Sequence, residues 1–376
     1  MVLLMFISSR PDRPVGSWTC PLLAAVPCTV TRMYGGQIRT LVLEGPPRAM
    51  GERHGSELAP EIRGYLADRL DLAGDPYWAG RAEVPERILE IAQQTLEAHE
   101  RFSANLFDEM SAMAGKAGIT VAEAVVVGGF TDLVDVVRSE GGTTLEEDDC
   151  TGLIDAERGL LAQTWDMHAS AGEYVYLLDV RPEAGPRAFV QTTAGCLGQI
   201  GMNEAGVAVG INNLTSYGKP GVTWPFVVRK VLEQTELDDA IKVVLDADLA
   251  GGHNFMLMGP DGIGCNIEAM PGGNRVTRVD SGVFAHTNHC LDDRNRSEEG
   301  SRSPLSEASS AERLENAEQL AEDLDAFFAD EEINRGAATP HDVATCGAVV
   351  MRTTAGVLEA VWGRPGEHPW EQFDFE

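Results

Sequence analysis

The sequence is short of positive charge. Its 376 residues include 59 acidic side chains but only 29 lysines and arginines, and lysine occurs at just four positions. A formal net charge of −30 makes phosphate backbones and anionic lipid surfaces unfavourable partners, so we expect neither nucleic acid nor a membrane as a partner. Because the carboxylates are spread along the chain, they predict a solvated surface of the kind found in salt-adapted proteins.

Cysteine is scarce as well, with seven residues and no Cys-x-x-Cys pair. An odd number without paired spacing argues against a disulfide framework and against a structural zinc site. We therefore expect no metal, and a location in the reducing cytoplasm. The seven positions are Cys20, Cys28, Cys150, Cys196, Cys265, Cys290 and Cys346.

Long apolar runs, internal repeats and glycine-rich phosphate loops are also missing. The apolar segment Val2–Ile7 is too short to cross a bilayer and has no basic residue before it, so it does not predict a signal peptide. Residues 1–33 are predicted to be an extension or a misassigned start, because Met33 lies just before a strand-like run at 37–44. Without a phosphate loop, we expect no cofactor.

Two kinds of pattern divide the remaining chain. Helical spacing of apolar residues from Pro85 to Arg138 predicts a mainly helical segment over 34–149, which ends in an acidic connector at 139–149. From Cys150 to residue 376, short strand-like runs alternate with a helix pair at 224–249 and a charged helix from Ala308 to Ala329. Sheets with helices on their outer faces predict an α+β layered fold.

The two halves meet at Asp149–Cys150. A thiol at the first position of a strand, just after a flexible connector, can attack the preceding carbonyl and cut the chain before Cys150. The freed α-amine, with a pKa of about 7.7–8.0, can then serve as general base for the thiol. One residue would supply both nucleophile and base, although a lone cysteine that opens a strand is commonly a buried structural residue.

Five short motifs surround this join in a fixed order. They are Cys150-Thr151-Gly152, Gln163-Thr164-Trp165-Asp166, Gly201-Met202-Asn203-Glu204, Gly210-Ile211-Asn212-Asn213 and Thr287-Asn288-His289. The pattern resembles the N-terminal-nucleophile hydrolases. Over 36–363 it is most similar to the acyl-coenzyme A:6-aminopenicillanate acyltransferase family of self-processing cysteine acyltransferases and hydrolases. The resemblance implies a four-layer αββα sandwich, with the helical N-terminal segment packed against it.

The resemblance also implies roles for single residues. Asp166 matches the aspartate that holds the nucleophile's α-amine. Asn288 matches the asparagine whose amide donates to the developing oxyanion, a contribution typically worth about 3 kcal/mol. Asn212 matches a second oxyanion donor, although strand alternation leaves Asn213 as the other candidate for the inward-facing residue.

An arginine is expected downstream of Asn288. The candidates are Arg294, Arg296, Arg302 and Arg313, and we favour Arg313 because residues 309–313 begin a helix that would aim it inward. Four histidines, His168, His253, His286 and His289, are predicted to be structural, since no metal-ligand spacing connects them. Glu268 resembles a strand-end glutamate of structural use in the family, so we do not expect it to be catalytic.

One position departs from the choloylglycine-type relatives, which carry an arginine where this chain has Gln163. The departure argues against bile-salt or penicillin V chemistry. The sequence therefore predicts an autoproteolytic amidohydrolase or acyltransferase that works through a Cys150 thioester. Its substrate would be a small amide or acyl donor, with acyl-CoA among the candidates. The rival hypothesis is a non-catalytic binding or scaffold protein on the same fold.

Overall fold

Strands make up the larger share of the regular secondary structure described after Cys150. The structure is a computed structural model that describes residues 36–79, 81–141, 150–340 and 342–375. The predicted extension at 1–33 and the predicted cleavage residue Asp149 lie outside the described residues. The described strands are β1 Thr40–Gly45, β2 Thr151–Asp155, β3 Leu160–His168, β4 Val175–Pro182, β5 Ala188–Thr193, β6 Ile200–Asn203, β7 Ala208–Leu214, β8 Gly252–Met258, β9 Gly264–Met270, β10 Gly273–Val279, β11 Val283–His286, β12 Val343–Arg352, β13 Val357–Trp362 and β14 Glu371–Asp374.

These strands form two sheets that pack face to face. One sheet has the order β1-β4-β5-β6-β7-β8-β9-β10, and the other has the order β11-β2-β3-β12-β13-β14. Strands β2 and β3 of the second sheet contact β7 and β8 of the first. Every residue of β2 and β3 is buried, because one face meets the other sheet and the opposite face is covered by helices.

Helices cover both outer faces of the sheet pair. α10 and α11 pack on the second sheet around Leu153, Leu160 and Phe327, whereas α8 packs on β8 and β9 of the first. The layers therefore follow the expected αββα order. The described helices are α1 Pro47–Glu57, α2 Ala59–Ala73, α3 Pro76–Ala79, α4 Pro85–Phe102, α5 Ala104–Ala117, α6 Val121–Ser139, α7 Trp224–Val231, α8 Leu237–Leu245, α9 Asp293–Arg296, α10 Pro304–Leu320 and α11 Leu324–Ala329.

The segment before the connector is mainly helical and shares a core with the sheets. Gly118, with φ of 76°, ends α5, and a capping box between Thr120 and Glu123 starts α6. β1 adds a parallel edge strand beside β4, so this segment is also part of the first sheet. No single described helix is long and apolar enough to span a membrane, although the bent pair α5 and α6 passes the same test when taken together.

The structure corrects several details of the predicted elements. The helix expected over Ala308–Ala329 is two helices. The first ends at Leu320, and Asp323 caps a second helix that starts at Leu324 by accepting a hydrogen bond from Ala326 N. α6 runs to Ser139, so the connector begins later than expected. The short strands β6 and β14, each four residues long, have no counterpart among the predicted elements.

Candidate active site

Cys150 lies directly before β2, with its thiol against the main chain of β3. Its side chain is buried, at 8% exposure. Asp166 N lies 3.4 Å from Sγ, in position to donate to it, and Sγ lies 3.7 Å from Asp166 O. Because β2 pairs with both β11 and β3, the start of this strand is held inside the sheet.

The carbonyl oxygen of Cys150 is held from two different layers. Asn212 Nδ2, on β7 of the facing sheet, donates to it at 3.1 Å. Arg313 Nη1, on α10, donates to it at 2.9 Å and to Thr151 Oγ1 at 3.1 Å. Both donors are fully buried, which fixes the nucleophilic residue at its C-terminal side.

The structure separates the alternatives that the sequence left open. Asn212 faces Cys150 and is oriented by Asn254 Nδ2, which donates to Asn212 Oδ1 at 3.1 Å. Its neighbour Asn213 instead offers its main-chain oxygen to Asn288. Of the four arginines, Arg313 contacts Cys150, Arg302 donates to the Asn288 carbonyl, and Arg294 and Arg296 lie exposed on α9.

Asn288 connects to Cys150 through Arg313. Its Oδ1 accepts from Arg313 Nη2 at 3.2 Å, while its Nδ2 donates to Asn213 O at 3.1 Å. Ser310 Oγ accepts from Asn288 N at 3.0 Å. The amide is thus fixed in orientation, and its role as an oxyanion donor stays a prediction.

Asp166 is a buried carboxylate beside the nucleophile. Thr345 Oγ1 donates to its Oδ1 at 2.8 Å, from a point where the pairing of β12 with β3 is irregular. Burial raises the pKa of Asp166 from 3.8 to about 7, against the opposing effects of the Thr345 hydroxyl and the Arg313 charge. Because burial disfavours the charged form of Asp166, a positive group beside it would stabilise the carboxylate strongly.

Gln163 joins the two sheets next to the site. Its Oε1 accepts from Ile211 N at 2.8 Å, and its Nε2 donates to Ile211 O. The Gln163 side-chain amide thereby makes the two main-chain hydrogen bonds to Ile211, the residue before Asn212, that a neighbouring strand would make. A Cβ at Gly210 would collide with Gln163 Oε1, so the glycine is required for this close approach.

Thr345 and Asn254, which hold Asp166 and Asn212, belong to no recognisable local pattern and were missed by the sequence reasoning. Gln163 was noted in its motif as a departure from relatives, but its contact with Ile211 was not predicted. Gly210, inside the motif that ends in Asn212-Asn213, was the available signal of a close inter-sheet contact.

The histidines and Glu268 have partners elsewhere in the fold. His253 Nε2 lies 2.9 Å from Asp132 Oδ1, His286 Nε2 lies 3.2 Å from Glu268 Oε1, and Ser310 Oγ lies 2.8 Å from His289 Nδ1. Glu268 also accepts from the main-chain N–H of Asp292. Within the described ranges, no group of three or more His, Cys, Asp or Glu side chains could hold a metal ion.

A cysteine that opens a buried strand, between two facing sheets and two helical layers, defines the N-terminal-nucleophile hydrolase class. The family described as acyl-coenzyme A:6-aminopenicillanic acid acyl-transferase matches residues 154–335. Within the class, the chain is a relative of this family.

Individual proteins are similar to this chain to different extents. The 40 kDa form of acyl-coenzyme A:6-aminopenicillanic-acid-acyltransferase from Emericella nidulans is 26% identical over 253 residues, which cover 66% of this chain and 68% of that protein. A variant of conjugated bile acid hydrolase from Clostridium perfringens is 11% identical, with a TM-score of 0.42 over 60% of this chain and 92% of that chain. Penicillin V acylase from Agrobacterium tumefaciens is 11% identical, with a TM-score of 0.37 over 60% and 86%.

The family relationship makes this chain an enzyme that acts on a small-molecule acyl substrate by acyl transfer or amide hydrolysis. Nothing in the relationship favours a non-catalytic protein on the same fold.

Proposed function

We propose that the chain cleaves itself before Cys150 and then hydrolyses an amide, or transfers an acyl group, through a thioester on Cys150. The observation that carries the proposal is the anchoring of the Cys150 carbonyl by Asn212 and Arg313. Both contacts lie on the C-terminal side of the bond to be cut. The nucleophile would therefore keep its place after cleavage.

Self-cleavage would begin with attack of Cys150 Sγ on the carbonyl carbon of Asp149. The peptide C–N bond breaks, the Asp149 acyl group moves to sulfur, and the former peptide nitrogen takes up a proton to become the free α-amine. Water then hydrolyses the thioester and leaves a carboxylate on Asp149. The mature residue carries a thiol and an amine on the same backbone unit.

Turnover would use the same sulfur. The α-amine accepts the thiol proton as Sγ attacks the substrate carbonyl, and the proton passes to the departing amine when the C–N bond breaks. Asn288 and the second N–H of Asn212 would stabilise the oxyanion. Water or an incoming amine then releases the acyl group from Cys150.

Asp166 would hold the α-ammonium form of Cys150. Its carboxyl is buried, and burial raises its pKa to about 7 against the opposing effects of nearby donors and charges. A positive α-ammonium nearby would lower the pKa of Asp166 again and keep the carboxylate charged during turnover.

The acyl donor is proposed to be a small linear amide or an acyl-CoA, on the strength of the family match. None of the described cysteines, Cys150, Cys196, Cys265, Cys290 and Cys346, forms a disulfide. The proposed location is the cytoplasm.

Intact-mass analysis under denaturing conditions tests the proposal directly. The expected result is two chains, residues 1–149 and 150–376, and an acyl adduct on the second chain after incubation with a thiol-reactive acyl donor. A single intact chain whose Cys150 accepts no acyl group would favour the non-catalytic alternative. Labelling of Cys196 or Cys346 at the same rate as Cys150 would also contradict it, because an activated thiol must react faster than a buried structural one.

A further inference from the structure

Arg69 on α2 is a buried guanidinium with no carboxylate partner. Its side chain is 3% exposed. Nη1 lies 3.5 Å from Met167 Sδ, Nη2 donates to Tyr65 Oη, and Nε has no hydrogen-bond partner. Within the described part of the chain, no acidic side chain forms an ion pair with it.

Two other buried arginines in this fold are paired with carboxylates. Arg138 pairs with Asp135 at 2.5 Å, and Arg229 pairs with Glu109 at 3.2 Å, with all four side chains nearly inaccessible. Arg69 has aromatic rings in place of a carboxylate. Its guanidinium carbon lies 4.6 Å from the centre of the Tyr65 ring and 5.2 Å from that of Phe130. Rings replace only part of the solvation that a buried cation loses.

The position of Arg69 relative to Cys150 follows from β3. Asp166 N lies within hydrogen-bond distance of Cys150 Sγ, and the next residue is Met167, whose sulfur contacts Arg69. One peptide unit and one methionine side chain therefore separate the thiol from the guanidinium. A substrate whose carbonyl carbon lies at Sγ would have to extend past the Met167 side chain to reach Arg69.

A second buried polar group without partners lies near the same strand. Gln191 on β5 is 1% exposed, and neither its Nε2 nor its Oε1 has a hydrogen-bond partner. Its amide lies over Gly347, which pairs with Trp165 of β3. Thr193, two residues along β5, interacts with the Tyr65 hydroxyl that accepts from Arg69. Unsatisfied donors thus occur both in α2 and in β5, around the end of β3.

We propose that Arg69 binds a carboxylate carried by the substrate, so that the substrates of this enzyme are amides with an acidic group a few bonds from the attacked carbonyl. This assignment rests on the proposed function. A planar guanidinium matches a carboxylate through paired N–H donors, and a bound anion neutralises the buried cation. The chain's net charge of −30 repels anions at long range, so recognition of one requires a local cation of this kind.

Matched substrate pairs test the proposal on both sides of the amide. N-phenylacetylglycine and N-phenylacetylglycinamide differ by a carboxylate on the amine side, and glutaranilic acid and its primary amide differ on the acyl side. With the processed wild-type enzyme, we expect kcat/KM to favour the acid by about 10–100-fold in one of the pairs. This ratio corresponds to the contribution of one hydrogen bond between charged groups. The pair that shows the preference identifies the side.

Arg69→Met should abolish this preference, so that kcat/KM for the acid falls to the value for the neutral member, chiefly through a higher KM. Arg69→Lys should keep part of the preference, since it keeps the charge and loses the paired geometry. Arg53→Met, an exposed position on α1, is the control for net charge and should leave the preference unchanged.

Equal kcat/KM values within both pairs for the wild type, or a preference that survives in Arg69→Met, would overturn the assignment. If Arg69→Met does not fold, protection of Cys150 decides the matter in the wild type. Glycine or glutarate should slow labelling of the thiol at concentrations at which glycinamide or glutaramide does not, and equal protection by acid and amide would overturn the assignment. Turnover of the neutral substrates without an acid preference refutes only the carboxylate site, whereas no acylation of Cys150 by any substrate refutes the proposed function together with this assignment.

Discussion

Cys150 is held through its main-chain carbonyl from two layers of the fold. Two buried side chains, Asn212 and Arg313, donate to that oxygen at 3.1 and 2.9 Å. The sulfur lies against the main chain of Asp166. Replacement of the sulfur should therefore leave the local fold intact, which makes variants of this residue informative.

Cys150→Ala should give an uncut, inactive protein, because one sulfur performs both the cleavage and the turnover. Cys150→Ser should be cut slowly or not at all, since a hydroxyl is a weaker nucleophile than a thiol with the same base. Denaturing electrophoresis and intact mass measure both. Two chains from the alanine variant would mean that an external protease makes the cut.

Asn288→Asp tests the proposed oxyanion donor. The carboxylate can still accept from Arg313 but cannot donate, and its charge would repel the developing oxyanion. We expect kcat to fall by about 10²–10³ with little change in KM, at least as much as in Asn288→Ala. Asn105→Asp, exposed on α5, is the matched control. Turnover within about threefold of wild type would transfer the role to Asn212 or to backbone amides.

Asp166→Asn tests the raised pKa in the uncut Cys150→Ala background. Between pH 4 and 7 the folded protein keeps a proton on Asp166 that the unfolded chain releases, so this carboxyl lowers the free energy of unfolding as pH rises through that window. The loss is roughly 4 kcal/mol at most. Asparagine has no such proton. Its Tm advantage over aspartate should therefore be larger at pH 8 than at pH 4, by several degrees in calorimetry. If the Tm difference between the asparagine and aspartate variants is the same at both pH values, the raised pKa of Asp166 is refuted.

At the scale of elements, the pairing of the two sheets decides where Asn212 lies. Gln163 on β3 binds the main chain of Ile211 on β7, and only a glycine at position 210 allows the approach. The contact that supports Asn212 therefore joins the two sheets, and the pattern within a single strand does not reveal it.

Gly210→Ala should disrupt this contact. The added methyl group would collide with Gln163 Oε1 and leave buried amide groups unsatisfied, at a cost of about 1–3 kcal/mol. We expect a lower Tm and slower cleavage before Cys150, because Asn212 moves with Ile211. Gly115→Ala, in the exposed interior of α5 with no atom near its Cβ, should stabilise the protein slightly. If both variants have the same Tm and the same rate of cleavage before Cys150, the inter-sheet contact contributes neither to stability nor to processing.

Prediction from sequence succeeded where the signal was local. The layered α+β order followed from the sequence pattern. The motifs led to Cys150, Asp166 and Asn212, and the helix start at 309–313 led to Arg313. The structure places these four residues together, and their roles stay predictions. The single helix predicted over 308–329 was wrong, because a continuous charged pattern hides the cap at Asp323. Residues such as Thr345 and Arg69 could not be predicted, since only tertiary folding brings them to β3.

At the scale of the whole molecule, the net charge of −30 makes the folded protein repel itself. Screening by salt should relieve that repulsion. We expect Tm to rise by several degrees between about 0.05 and 1 M sodium chloride, with no comparable rise in a neutral osmolyte that leaves the charges unscreened. A Tm that stays constant or falls with added chloride would contradict the interpretation of the acidic surface as salt-adapted.

The parallel pairing of β1 with β4 has a consequence for what a purified sample contains. A cut before Cys150 would leave β1 and the helices α1–α6 in one polypeptide and β4 in the other, joined by main-chain hydrogen bonds and a shared core. The mature protein would then be a heterodimer with a fixed one-to-one stoichiometry, because both subunits come from one translation product. Native chromatography would give one species and denaturing chromatography two, and neither subunit expressed alone could complete the first sheet.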